Sequence, residues 1–355
     1  MQERLARLRR ALGEAGIPAI LVSKPENRRY LSGFTGSAGV LVISTAEALL
    51  LTDGRYAEQA TEQAAGFTVI RHALDYRETL GSALAERGIA QLAFEQDVVT
   101  YGAYEGLRER LTGVALLPRE GLVEGLRAQK GDEELARLRR AAAIADEALA
   151  RTLASIRPGV KESEVALELE QAMRRLGAEG VAFETIIASG PRSALPHGIA
   201  SDRVIQAGDL VVLDFGCRYQ GYCSDITRTV VVGTPNPRQV ELHALVLEAQ
   251  QAAVKAARAG LQGRELDAVA RRIIAEAGYG ELFGHGLGHG VGLAVHEAPR
   301  ASRESEQVLE DRMVVTIEPG VYLPGFGGVR IEDAVVLSAS GCEVLTTSPR
   351  ELIRL

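Results

Sequence analysis

The sequence predicts an α/β domain over residues 1–127 followed by an α+β domain over residues 128–355 whose two halves resemble each other. Three observations point there. A chain of 355 residues is longer than one ordinary core organises. Its first third alternates short apolar runs with helix-like segments, as a sheet covered by helices requires. Its remainder runs through one order, two helices and then strands, twice. In the first domain, Leu5, Leu8 and Leu12 have the spacing of an amphipathic helix, and four arginines before any apolar run argue against a secretory leader. Strands are expected at 17–22, 40–43, 48–51, 67–70 and 89–94, and helices at 56–65, 76–87 and 101–111. The polar run 127–134 (RAQKGDEE) marks the domain boundary. Beyond it, Asp132 is expected to cap a long helix that ends before Pro158, and further helices are expected at 162–176, 238–259 and 263–277. Strands are expected at 184–188, 210–215, 226–232, 313–317 and 330–337.

Composition narrows the function. No run approaches the roughly 18 apolar residues of a membrane span, and 40 basic against 47 acidic residues give the electrostatics of nucleic-acid binding no support. Cys217, Cys223 and Cys342 are odd in number and form no CxxC pair, which suggests a reducing cytoplasm. Of six histidines, five (His197, His243, His285, His289 and His296) crowd into the second domain together with carboxylates flanked by apolar residues.

Three segments carry the chemistry. In LVVLDFGCRYQGYCSDITRTVVV, residues 210–232, two β-rich runs flank a turn, so an antiparallel hairpin is expected. With Tyr219 and Gln220 at its centre, Asp214 would face Asp225, and like charges so placed repel unless a positive charge lies between them. In GHGLGHGVGLAVHEAPR, residues 284–300, the glycines at alternate positions from 284 to 292 would each cost a helix about 1 kcal/mol, so the segment reads as extended, with His285 and His289 on one face. It matches neither a dinucleotide fingerprint nor HExxH. VVTIEPG places Glu318 at the end of an apolar strand, and GGVRIEDAVVL places Glu332 inside one. Asp214, Asp225, His289, Glu318 and Glu332 would thus offer four carboxylates and one imidazole, a set that two divalent cations would neutralise. Oxygen-rich ligation suits Mn²⁺ best, with Co²⁺ or Zn²⁺ as alternatives, and a metal pair of this kind serves hydrolysis. His243 sits apart from these motifs and reads as an ordinary helix residue.

In this order, LDFG, CSDITRT, GHGLGHGVG, TIEPG and RIED resemble the pita-bread metallopeptidase family, which contains methionine aminopeptidase, aminopeptidase P and prolidase. ENRRYLSGFTGS (26–37) and TDGRY (52–56) resemble the creatinase-like N-terminal domain of its proline-specific branch. The resemblance implies that Asp214 chelates one metal, that Asp225 and Glu332 bridge both, and that His289 and Glu318 complete the second site. It makes Glu318 the acid/base as well, and gives His197, His285 and His296 the scissile carbonyl and the oxyanion. Arg330 would orient a ligand carboxylate from outside the metal shell. Arg300 lies where some prolidases place a clamp for the substrate carboxylate. The motifs near the N-terminus lean towards an Xaa-Pro aminopeptidase, a cytoplasmic homodimer acting on proline-containing peptides. The alternative is an Xaa-Pro dipeptidase, and a more remote one is a non-catalytic peptide-binding protein of the same fold.

Overall fold

The computed structural model describes residues 1–355, which divide into a unit of Met1–Arg127 and a unit of Ala128–Leu355. In the first, the helix Gln2–Glu14 buries Leu5, Leu8 and Leu12. A six-stranded mixed sheet runs in the spatial order Thr68–Arg71, Ala48–Thr52, Val40–Ser44, Ala19–Val22, Gln91–Glu95, Ala115–Arg119. Ala19–Val22, in the middle, is buried at every residue, as a strand covered on both faces must be. The last strand escapes sequence reading because Pro118 interrupts it. At a sheet edge the missing N–H is harmless, and that is where the strand lies. The helix Pro25–Ser32 is likewise unexpected. Proline stands in its first turn, and the Glu95 carboxylate accepts the N–H groups of Ser23 and Lys24 just before it, both at 2.7 Å.

The second unit consists of two halves with matching connectivity. One contains the helices Asp132–Thr152 and Glu162–Arg175 and the strands Ile186–Ser189, Leu210–Phe215 and Ile226–Val231, with Ile353–Arg354 added in parallel at the edge. The other contains the helices Pro237–Ala256 and Gly263–Glu276 and a sheet in the order Glu297–Ala301, Gly288–Gly290, Val314–Ile317, Asp333–Ser338, Gly341–Val344. Backbone hydrogen bonds establish the correspondence. The bridge Lys161 to Val204 matches Gln262 to Val308. The bonds Glu162 N–H to Arg203 O and Gly208 N–H to Val232 O match Gly263 N–H to Gln307 O and Arg312 N–H to Leu337 O. Arg312 has φ +64° because its counterpart is Gly208 at φ +87°: the turn needs a left-handed residue, and only one half supplies glycine. Counted from the matched valines, Asp214 and Glu318 occupy the same place in the two halves.

Three expectations are corrected. The residue that caps Asp132–Thr152 is Gly131, extended at φ −75°, ψ 168°, and its N–H is accepted by the Glu134 carboxylate at 3.0 Å. Asp132 instead begins the helix, where its negative charge is favourably placed at the positive end of the helix dipole. The strand expected over 330–337 is broken. Gly327–Arg330 pairs with Gly320–Leu323, Asp333–Ser338 pairs with Val314–Ile317, and Glu332 lies between them, bridged to Thr227. In the hairpin the central turn residues are Gln220 and Gly221, at φ +47° and +82°, the pair of positive values that a type I′ turn demands. The centre is therefore one residue later than expected, and Asp214 faces Thr227. A shift of two in register keeps side chains on their faces, so Asp214 and Asp225 still share one.

Candidate active site

A cavity of about 490 Å³ gathers Asp214, Asp225, His289, Glu318 and Glu332, and also His197, His285, His296, Arg300 and Arg330. Every residue singled out from the sequence for chemistry lines it, while His243 does not. Phe183, Ile186, Pro196, Ile199 and Val295 give the cavity an apolar wall.

Its floor is a cluster of four carboxyl groups that one buried arginine, Arg330, only partly compensates. Metal-ligating atoms of Asp225, His289 and Glu332 lie within 4.8 Å of one another. His289 Nε2 is 3.3 Å from Glu318 Oε1 and 3.7 Å from Asp225 Oδ2. Burial, then the charges of Glu332 and Asp214, push Asp225 well above the usual carboxylate range. Burial and the charges of Glu318 and Asp214 do the same to Glu332. Burial raises Glu318 to about 8 despite the nearby Arg330. The imidazole of His289 is driven down to about 4, by burial first and by His296 next, and so is neutral. Its Nδ1 is 3.2 Å from the carbonyl of Gly290. A proton held there leaves the Nε2 lone pair facing the carboxylates, as a metal ligand requires.

These features fit divalent cations. Asp214 Oδ1 is buried without a hydrogen-bond partner, while Oδ2 accepts from Arg330. An orphaned carboxylate oxygen beside three further acids is costly unless a cation completes it. The donors, carboxylate oxygens and one imidazole nitrogen, suit Mn²⁺, Co²⁺ or Zn²⁺ rather than a soft ion.

A layer of residues behind the cavity fixes these groups; the sequence pointed to Arg330 and His285 in it, but not to Thr227, Thr316 or Tyr322. Thr227 donates to Glu332 at 2.7 Å. The Thr316 hydroxyl accepts the N–H of His289 at 3.0 Å and lies 3.2 Å from Glu318 Oε1. Arg330 spreads its guanidinium between Asp214, the Tyr322 hydroxyl at 2.8 Å and the carbonyl of Pro196 at 3.2 Å. The only hint of Tyr322 was its place on a strand between Glu318 and Arg330; nothing marked Thr227 or Thr316. His285 has both ring nitrogens engaged, one with Gly286 O at 2.8 Å and the other with Tyr322 at 2.9 Å. Its backbone carbonyl accepts from Arg271, which is paired in turn with the buried Asp267. The His296 ring lies edge-on to His289, 4.2 Å between centroids. His197 and Arg300 are exposed at the cavity wall. Arg300 faces His289 across two paired strands and makes no ion pair or hydrogen bond through its guanidinium. The cysteines are free, and burial raises Cys217 to about 11 and Cys223 to about 12, so neither behaves as a nucleophile.

Glycines let the backbone close around the site. A Cβ on Gly288 would strike the carbonyl of Thr316, and one on Gly290 the carbonyl of Ala298. The alternation of glycine with His289 is thus a packing requirement of the strand between two neighbours.

Comparison with known proteins agrees with this geometry. Residues 136–339 match the model of metallopeptidase family M24, and residues 4–129 match the creatinase/prolidase N-terminal domain. A solved Xaa-Pro dipeptidase from Bacillus anthracis is 51% identical with a TM-score of 0.98, over 100% of this chain and 99% of that one. An X-Pro aminopeptidase structure from Thermotoga maritima is 43% identical with a TM-score of 0.90, over 98% and 100%. An Xaa-Pro dipeptidase of Pyrococcus horikoshii is 42% identical over 99% of each chain. No helix is long and apolar enough to cross a membrane.

Proposed function

The chain belongs to metallopeptidase family M24, and we propose that it is an Xaa-Pro dipeptidase that hydrolyses dipeptides with proline in second place. The observation that carries this reading is Arg300, a guanidinium on the cavity wall with no partner of its own. A dipeptide ends in a carboxylate just beyond the scissile bond, and a planar fork of donors suits it. The names of the Bacillus and Pyrococcus relatives point the same way, which reverses the leaning drawn from the N-terminal motifs. The Thermotoga relative keeps the aminopeptidase reading as the second choice. A cytoplasmic homodimer remains part of the proposal through the family resemblance.

Asp214, Asp225, His289, Glu318 and Glu332 would hold two divalent ions, with Mn²⁺ the first candidate. When bound, such ions supply the positive charge that activates water and polarises the scissile carbonyl. The chain does the rest. Arg330 holds one oxygen of Asp214 and so aims the other into the cavity. Glu318, fixed by Thr316, takes the proton from the attacking water and delivers it to the proline nitrogen, which has none of its own. His197 and His296 donate hydrogen bonds to the carbonyl oxygen as negative charge develops there. His285, occupied by Gly286 and Tyr322, acts from behind by fixing the tyrosine that Arg330 also grips.

The test is a Mn²⁺-loaded assay with a matched Xaa-Pro dipeptide and Xaa-Pro-Xaa tripeptide. The dipeptide is expected to be cleaved preferentially, with Arg300→Ala raising its KM by about 10- to 100-fold, the weight of a charged hydrogen bond. Preference for the tripeptide would establish the aminopeptidase instead, and hydrolysis of neither would leave the non-catalytic binding protein.

A further inference from the structure

The segment carrying His197 is anchored from outside the cavity. Glu162, in the first turn of Glu162–Arg175, is completely buried. One of its carboxylate oxygens accepts the N–H and the hydroxyl of Ser189, both at 2.7 Å. The other accepts the N–H of Ser201 at 3.1 Å, its hydroxyl at 2.7 Å, and Arg192. Ser189 and Ser201 are the two ends of the segment that contains Pro196, His197 and Ile199, all on the cavity wall. Arg192 reaches past Glu162 to donate to the carbonyl of Ile199 at 2.8 Å. The middle of the segment is tied to the acidic floor by the bond from Arg330 to Pro196 O at 3.2 Å.

We propose that Glu162 is a positioning residue for catalysis: through Ser189, Ser201 and Arg192 it sets where His197 and Ile199 stand against the substrate. Three arguments support it. A single side chain ties both ends of the segment, so its loss removes both of these anchors at once. His197 is exposed and has no side-chain hydrogen bond of its own, so its place is decided by the backbone that carries it. A carboxylate with five donors in a dry site cannot be replaced by an amide without turning one donor against another. The proposal rests on the reading of His197 as a substrate contact.

The experiment is a double-mutant cycle on the Mn²⁺-loaded enzyme with an Xaa-Pro dipeptide, comparing Glu162→Gln, His197→Ala and the double variant, with bound metal measured for each. Glu162→Gln is expected to lower kcat by about 10- to 100-fold, the scale of a misplaced catalytic group, with metal content unchanged. In the His197→Ala background the same change is expected to cost nothing further. Equal losses in both backgrounds, or wild-type kcat in Glu162→Gln, would overturn the proposal. Wild-type kcat in His197→Ala would overturn the role given to His197, and this proposal with it, whereas additive losses would overturn this proposal alone. If Glu162→Gln does not fold, Arg192→Lys decides the same cycle, since it keeps a charge beside Glu162 but gives up the arm to Ile199.

Discussion

At the start of their second helices the two halves of the catalytic unit carry matching residues of opposite kind, Glu162 and Gly263. Glu162 fills a buried space with charge and gathers the loop of His197 around it. At Gly263 there is no space to fill, because a Cβ would strike the carbonyl of Arg300 and the hydroxyl of Ser305. One loop is thus held by hydrogen bonds to a side chain, and the other by direct contact of backbone with backbone. The first arrangement tolerates small movements of the chain and fails when an acceptor is lost. The second fails when an atom is added.

The largest effect expected from breaking the correspondence concerns Asp214 and Glu318, which share a position but not surroundings. Arg330 pairs directly with Asp214 but not with Glu318, which lies instead next to His289. Glu318→Gln should lower kcat by about 10²–10⁴-fold, more than Asp214→Asn at matched metal occupancy. Equal losses would remove the distinction between acid/base and pure ligand. Next comes Gly263→Ala, expected to destabilise the protein by about 3 kcal/mol through overpacking against a carbonyl that cannot move aside; urea titration reads it directly.

A third contrast lies in the first helices. Asp132–Thr152 buries Ala141, Ile144, Ala145 and Ala148, whereas Pro237–Ala256 buries His243 and Gln250, with His243 Nε2 left unpaired. Burial lowers His243 from its ordinary 6.5 to about 4. Between those values the unfolded chain binds a proton that the folded one refuses. The contribution of His243 to stability is therefore complete above pH 6.5 and is lost as pH drops towards 4, by on the order of 3 kcal/mol. Denaturation of His243→Leu at several pH values should show a shallower decline than the wild type. The smallest effect belongs to Arg139→Ala. It removes an ion pair with Glu343 that joins the halves through side chains 46% and 51% exposed, and should cost less than about 1 kcal/mol. A larger change in the urea midpoint would make that exposed pair a structural joint between the halves.

The sequence made the proposed ligand set readable because each acid stood beside apolar residues or glycine, where a solvated charge does not belong. It also conveyed which face the hairpin aspartates share, since a two-residue error in register preserves faces. It did not convey the register itself: Gln220–Gly221 lacks the Asn-Gly signature of a type I′ turn, and the centre was expected one residue earlier, at Tyr219–Gln220. The break at Glu332 was invisible because the strand pattern continues through it. Tyr322, Thr227 and Glu162 were missed for a different reason. Each matters through a partner distant in sequence, Glu332 for Thr227 and Ser189 or Ser201 for Glu162, and local patterns carry no such information.

The raised carboxyl groups of Asp225, Glu318 and Glu332 have one more consequence. Without ions the cavity floor is a reservoir of protons, and metal and hydrogen ions compete for the same oxygens. Loading the apoprotein should therefore acidify a weakly buffered solution, and its apparent metal affinity should weaken as the surroundings become more acidic. With the proposed ions bound, the cluster would in that sense exchange protons for metal.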